Sequence, residues 1–359
     1  MSETITLKIG GKAYEGWTSV RVTRAVDSIC ASFELSLVAS GPGQLAPSAI
    51  QDQASCELWL GADLFLTGYI DELDDDLSDT AHEIRVSGRD KTAVLVDCSA
   101  ENSPGSWKNQ KLEVIVRALL APFGLALRVD APTGAAFPAF ALKPGEKAAE
   151  AIVRLCKMRG VMLKSNPDGT LVIFTPAAVK AQYTLELGRN IKGRNFRSRS
   201  ADRYSQYIVK GQRQGTHGVS AKDAAQVKGK ASDPGVMRYR PITIITSEQA
   251  SAAGLKARAQ WEATTRMGKS MSLSVPVPGW RNDAGVLFSS GDYPRFLSAY
   301  DGLDLTMLVD SVTFSLGTST TATLELVRPE AYTPEPLLEP KVKKAKKGNA
   351  ALIAALGDD

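Results

Sequence analysis

Apolar and polar residues alternate through most of the first hundred positions. Ile5, Leu7 and Ile9 are separated by polar residues, and Gly10-Gly11 supplies a two-residue hairpin turn. Val20 and Val22 alternate after Trp17, as do Phe33, Leu35 and Leu37, then Cys56, Leu58 and Leu60. Leu64 to Ile70 follows the turn Gly61-Ala62-Asp63, and Ile84 and Val86 alternate in the next run. Period-two pieces punctuated by Gly, Pro and Asp predict an antiparallel sheet with one wet face, as in a barrel or sandwich. The acidic stretch Asp71-Glu72-Leu73-Asp74-Asp75-Asp76, with Asp79 nearby, reads as a solvated loop that keeps a strand edge from pairing. It lacks the DxDxDG spacing and the central Gly that bend a loop around Ca²⁺, so no metal site is expected there.

From about Asn109 the period lengthens. Leu112, Ile115, Val116, Leu119 and Leu120 form one helical stripe, ended by Pro122 and Gly124. A second helix is predicted from Pro144-Gly145-Glu146, carrying Ala148, Ile152, Leu155 and Cys156 inward and stopping at Gly160. Asn166-Pro167-Asp168-Gly169 then supplies turn chemistry between Val161–Lys164 and Leu171–Phe174. Residues 107–176 therefore read as a small α/β unit.

Beyond Tyr183 the pattern returns to β, with Tyr204 to Gln212 as a strand. Residues 213–236 are polar and rich in Gly and Lys, and read as a long loop. Ser247 reads as the cap of a helix running to about Met267, with Ala250, Gly254, Ala257 and Trp261 on one stripe. Met271, Leu273, Val275 and Val277 alternate next, followed by Val312, Phe314 and Leu316, and by Ala322, Leu324 and Leu326. The predicted division is a β module over 1–100, an α/β insert over 101–182, a second β module with a long loop and a helix over 183–335, and a flexible basic tail over 336–359.

The two β regions share a pattern. Setting Leu66-Thr67 beside Leu305-Thr306 brings Asp71 against Asp310 and Leu77 against Leu316. With one extra residue allowed, Ile84 and Val86 meet Leu324 and Leu326, and Asp90 meets Glu330. An internal duplication would leave two similar β modules split by the α/β insert.

Composition narrows function mainly by exclusion. The 359 residues are 43% hydrophobic and 23% charged, with a net charge of +4, too small for a dedicated nucleic-acid binder. The opening residues Met1–Gly10 are polar and strand-like, so no signal peptide is expected, and no run reaches the roughly 18 apolar residues that cross a bilayer. Cys30, Cys56, Cys98 and Cys156 lie far apart with no CxxC pair, and read as buried small hydrophobes without disulfides. The two histidines, His82 and His217, belong to no metal-binding pattern, and a Cys156–His217 pair is disfavoured because Cys156 lies on an apolar stripe. Neither a Walker loop nor a GxSxG elbow is present, and no carboxylate pair stands out for glycoside chemistry. No catalytic, cofactor or metal residues are assigned. Two basic segments remain, one with Arg213, Lys222, Lys228 and Lys230, the other Lys341 to Lys347. Both read as a solvated linker and tail, or as contacts to an acidic partner or passing DNA. Ala350 to Leu356 could form a short docking helix or a frayed end.

Several segments, taken in order, resemble the baseplate hub proteins of Mu-like contractile-tailed phages, the late control or tail protein D family. They are Trp17-Thr18-Ser19-Val20-Arg21-Val22 with Arg24-Ala25, Phe33 to Leu37, Leu66 to Asp71, and Ser87 to Ala100. Asn166 to Gly169, Trp261-Glu262, Pro278-Gly279-Trp280 and Arg328 to Tyr332 complete the set. The stretch from Gly88 through Ala100 is the most specific, and the likeness runs from about residue 3 to 333. Residues 281–303 fit less clearly, and the tail after Pro334 has no counterpart.

The resemblance implies a mainly β protein with two tube-like antiparallel β-barrel modules and an α/β domain, similar to the N-terminal part of type VI secretion spike proteins. It implies a structural, non-enzymatic homotrimer that joins a hexameric tail tube to a trimeric spike around a channel. The tail tube protein, spike protein, other baseplate proteins and tape measure protein would be its partners. DNA would meet it only in transit, and the chain would not insert in a membrane. It would be assembled in the host cytoplasm and reside in the virion tail. The alternatives are a peptidoglycan-degrading baseplate enzyme, and the hub part of a tailocin or type VI-like secretion spike.

Overall fold

The computed structural model describes residues 3–38, 50–79, 82–176, 179–212, 227–249 and 251–336. Its backbone divides into a larger unit, Met1–Arg203 with Trp261–Glu335, and a smaller one built on Tyr204–Gln260.

The larger unit begins with seven strands: β1 (Ile5–Ile9), β2 (Lys12–Tyr14), β3 (Ser19–Ala25), β4 (Ser32–Val38), β5 (Ser55–Leu60), β6 (Asp63–Leu77) and β7 (His82–Asp90). Gly10 and Gly11 take φ of 56° and 80°, which lets β1 and β2 join through a two-residue turn with Ile9 opposite Lys12. The acidic stretch is not a loop. It is the outer half of β6, held extended because β7 pairs with it as far as Leu77 opposite His82.

The α/β insert follows: α1 (Ala93–Asp97), β8 (Ser106–Gln110), α2 (Leu112–Leu120), β9 (Leu127–Val129), β10 (Phe137–Ala141), α3 (Ala148–Lys157), β11 (Met162–Ser165) and β12 (Leu171–Phe174). The predicted stripe of α2 is wholly buried, and it joins Ile152, Leu155, Leu171 and Ile173 in a separate core. Arg154 fastens the start of α3 by gripping Glu146 at 2.7 Å.

The chain then returns to β through β13 (Tyr183–Glu186) and β14 (Asn195–Ser198). The smaller unit holds β15 (Gln206–Gln212), β16 (Val227–Ser232) and β17 (Pro241–Gln249), in the order β16-β15-β17. The predicted loop over 213–236 is thus partly strand, because β16 pairs along β15, while 213–226 lies outside the described residues. Helix α4 (Ala252–Lys269) starts later than expected, since Ser247 belongs to β17. Ser251 provides the cap, its Oγ accepting the Gly254 N–H at 3.1 Å. The buried line of α4 is Leu255, Ala259, Glu262, Ala263 and Thr265; of the predicted stripe, Gly254, Ala257 and Trp261 are only half-buried, and Ala250 lies outside the described residues.

Strands β18 (Met271–Pro278), β19 (Pro294–Ser298), β20 (Leu303–Thr306), β21 (Leu308–Leu316) and β22 (Thr321–Val327) complete the larger unit. Eleven strands from both ends of the chain form one sheet, ordered β14-β18-β22-β21-β3-β4-β7-β6-β5-β1-β2. Its apolar face supplies the main core, where Phe314 meets Phe65 and Trp280 edge-on at 5.8 and 6.0 Å. The protein is mainly β with an α/β insert. All four thiols are free; Cys56 and Cys156 are buried as expected, whereas Cys98 is exposed and Cys30 half-buried. No helix among the described residues is long and apolar enough to cross a membrane.

Candidate functional site

The most specific sequence stretch marks a structural junction. Along β7 the inward positions are Ile84, Val86, Gly88 and Asp90, so the alternation carries a carboxylate into the core at 0% exposure. Every approach to it is occupied. Asp90 Oδ2 accepts the Ala31 N–H at 2.9 Å and the Ser165 hydroxyl at 2.6 Å, and Oδ1 accepts the Thr92 N–H at 3.0 Å. Arg24 donates to the carbonyls of Ser165 and Phe65, both at 2.6 Å, and stacks on the Phe65 ring. Burial lowers the pKa of the Arg24 guanidinium, and the Asp90 charge opposes that shift. Strands β3 and β7 are thereby tied to β11 of the insert. The neighbouring Arg89 bridges Asp71 at 2.6 Å and Asp97 at 2.7 Å, which holds the Asp97 carboxyl below its usual range. A buried, fully bonded carboxylate serves packing and orientation.

The suspected duplication is present and extends beyond the aligned residues. In the β6–β7 hairpin Ile70 faces Gly88 and Glu72 faces Ser87, leaving Asp71 as the extra residue of a bulge. In the β21–β22 hairpin Val309 faces Leu326 and Ser311 faces Glu325, leaving Asp310 in the same role. On one flank β5 sets Leu58 opposite Leu66, as β19 sets Phe296 opposite Leu305. On the other, β4 sets Phe33 opposite Gly88, as β18 sets Leu273 opposite Leu326. Next to these, β3 sets Val22 opposite Phe33, as β14 sets Phe196 opposite Leu273. Strands β3, β4, β7, β6 and β5 therefore recur as β14, β18, β22, β21 with β20, and β19. The pairing corrects one detail. Val86 corresponds to Leu324, because both lie opposite equivalent residues, Leu73 and Val312; the second hairpin is one residue shorter, not longer.

The chemical candidates do not converge. His82 Nε2 lies 2.5 Å from Asp75 Oδ1 on the outer β6–β7 hairpin. His217, Arg213, Lys222, Lys341 to Lys347 and Ala350 to Leu356 lie outside the described residues, while Lys228 and Lys230 sit on β16. Burial pushes the Cys156 thiol up to about 12, the reverse of what a nucleophile needs. Among the described residues no three His, Cys, Asp or Glu side chains are grouped as a metal site. A cleft of about 840 Å³ in the larger unit is lined in part by Arg24, Phe65, Ser165, Phe288, Asp292 and Tyr293. Burial raises the Asp292 carboxyl, although it accepts the Ser289 N–H at 3.0 Å and faces the Tyr183 hydroxyl. The sequence hid the Asp90 network, although a charged residue in phase with Ile84 and Val86 was a visible signal.

Comparison with known proteins agrees with this architecture. Residues 4–90 match the family "Mu phage baseplate assembly protein GpP-like, N-terminal", and 92–175 match "Baseplate hub protein gp44-like, second domain". Residues 203–261 match "Tail protein NMB1110-like, third domain", and 251–335 match "Mu phage baseplate assembly protein GpP, fourth domain". The chain is 39% identical over 295 residues to baseplate hub protein gp44 of Escherichia phage Mu, covering 80% of this chain and 77% of that one. A prophage MuSo2 43 kDa tail protein from Shewanella oneidensis superposes with a TM-score of 0.83 at 33% identity, covering 92% and 100% of the two chains. A component of the Escherichia coli type VI secretion system shares the fold, with a TM-score of 0.58 at 12% identity over 93% of this chain and 80% of that one. The chain belongs to the family of phage Mu-type baseplate hub proteins.

Proposed function

We propose that this chain is the structural hub of a contractile tail, a homotrimer that joins the tail tube to the central spike around the channel. The observation that carries the reading is the repeat within one sheet, in which Asp71 and Asp310 occupy equivalent bulges. Three chains with two similar modules each present six similar surfaces, which suits a junction between a sixfold tube and a threefold spike. On this reading residues 1–100, and 183–203 with 261–335, supply the ring modules, and 101–182 the outer insert. The tube protein, spike protein, other baseplate proteins and tape measure protein are its partners, and DNA passes through without being retained. Assembly takes place in the host cytoplasm, and the mature hub resides in the virion tail. The role is mechanical and not enzymatic, in keeping with the high pKa of the buried Cys156 thiol and the packing role of the Asp90 network. Interfaces of this kind are obligate and bury more than about 2,000 Å². Mixing purified chain with the cognate spike protein should give an equimolar complex, and incubation with purified peptidoglycan should release no soluble fragments. Cell-wall cleavage, or indifference to the spike, would contradict the reading.

A further inference from the structure

The small unit concentrates the positive charge of the chain. Residues 204–260 hold nine Lys and Arg against three Asp and Glu, while the rest of the chain, with 34 against 36, is close to balance. On the β16-β15-β17 sheet, strand alternation places the lysines on one side. Tyr207 and Val209 of β15, both 0% exposed, mark the other, covered side. Helix α4 packs there, so closely that a Cβ on Gly229 of β16 would lie 2.1 Å from the Leu255 carbonyl carbon. On the open side Lys210 of β15 stands directly between Lys228 of β16 and Ile245 of β17, and in the next row Ile208 stands opposite Lys230. All three lysines are exposed, and Ile245 is 81% exposed.

The lysines gain nothing from one another. Like charges directly across an antiparallel pair repel, and Lys210 and Lys228 are such a pair. No Asp or Glu stands opposite any of the three in the register, and none has an ion-pair partner among the described residues. A bound anion would relieve the repulsion. We infer that this face binds an acidic segment of another protein, one that carries aliphatic residues beside its carboxylates.

The spacing and chemistry of the face select that partner. Lys210 and Lys228 lie on neighbouring strands about 4.8 Å apart, near enough for one carboxylate to bridge both ammonium groups. When an extended segment crosses the strands there, the side chain two residues along, about 6.7 Å away, falls on Ile245. Charge pairing and aliphatic contact are then made together. Nucleic acid suits the face less well. The open side of the three strands carries no aromatic residue on which a base would stack, and a phosphate backbone leaves the isoleucines uncovered. The hub reading gives residues 204–260 no role, so the inference stands apart from it.

Fluorescence anisotropy on the full chain tests it with labelled probes of equal charge. They are a peptide of repeating Asp-Asp-Val-Val, the same peptide with Ser in place of Val, and single-stranded oligothymidine. The Asp–Val peptide should bind at least about tenfold more tightly than either of the others. Lys210→Gln with Lys228→Gln should weaken it by about tenfold or more, and Ile245→Ser should bring it down to the level of the Asp–Ser peptide. These positions are exposed, so the variants should keep the circular dichroism of the parent chain. Tightest binding of oligothymidine, equal binding of the two peptides, or indifference to the lysine substitutions would overturn the inference and leave the hub reading untouched.

Discussion

The Asp90 carboxylate accepts the Ser165 hydroxyl at 2.6 Å, a bond between residues 75 positions apart that ties the end of β7 to the end of β11. Ser165 also offers its carbonyl to Arg24, so β3, the last residue of β7 and the insert meet at one point. Asp90→Ala leaves Arg24 buried without its charge partner and strands the Ala31 and Thr92 N–H groups. The expected loss is about 3–5 kcal/mol of stability. Chemical denaturation followed by circular dichroism measures it, and Ser165→Ala should cost less, about 1–2 kcal/mol.

Gly88 admits no side chain. An added Cβ would lie 2.3 Å from the Tyr69 carbonyl oxygen and 2.7 Å from the Phe33 ring. Gly88→Ala should destabilise by about 3 kcal/mol or more. Alanine at Gly10 would instead meet open space and suffer only from its positive φ, so the thermal midpoint should fall much further for Gly88→Ala.

The four cysteines should separate by reactivity. Cys98 is exposed, whereas burial pushes the Cys56 and Cys156 thiols up to about 12. A maleimide at neutral pH should modify Cys98 within minutes and leave Cys56 and Cys156 unmodified until the protein is unfolded. Mass spectrometry of the labelled peptides gives the order.

Acid should weaken the insert through Glu146. Burial pulls this carboxyl upward, but the Arg154 guanidinium and the Lys143 N–H outweigh it and hold it below its ordinary value. A carboxyl depressed on folding contributes stability that is complete above its unfolded value near 4.5 and is lost as pH falls through the lower folded value. Thermal midpoints should therefore drop below about pH 4.5, and Glu146→Gln should flatten that part of the profile while lowering the midpoint at pH 7.

Local pattern announced much of this fold. Alternation located β4 and β5, and the helical stripe of α2 is buried residue for residue, because each element has one apolar face to hide. The outer half of β6 gives no strand signal because its acidic residues occupy both faces and carry no period, and its extension is imposed by β7. Ser247 reads like a helix cap because serine serves strands and caps alike, and only the hydrogen bond from Gly254 identifies Ser251. The repeat was visible in a few residues, Asp71 and Asp310 among them, but its full extent depended on strand pairing. Phe196 and Val22 share no local sequence and become counterparts only through Leu273 and Phe33.

A ring-forming hub, as proposed, associates in threes. Light scattering on the purified chain across a range of concentrations, with and without the cognate spike protein, tests it most directly. The mass should equal three chains, either for the chain alone or on addition of spike. A mass that stays at one chain under both conditions would contradict it.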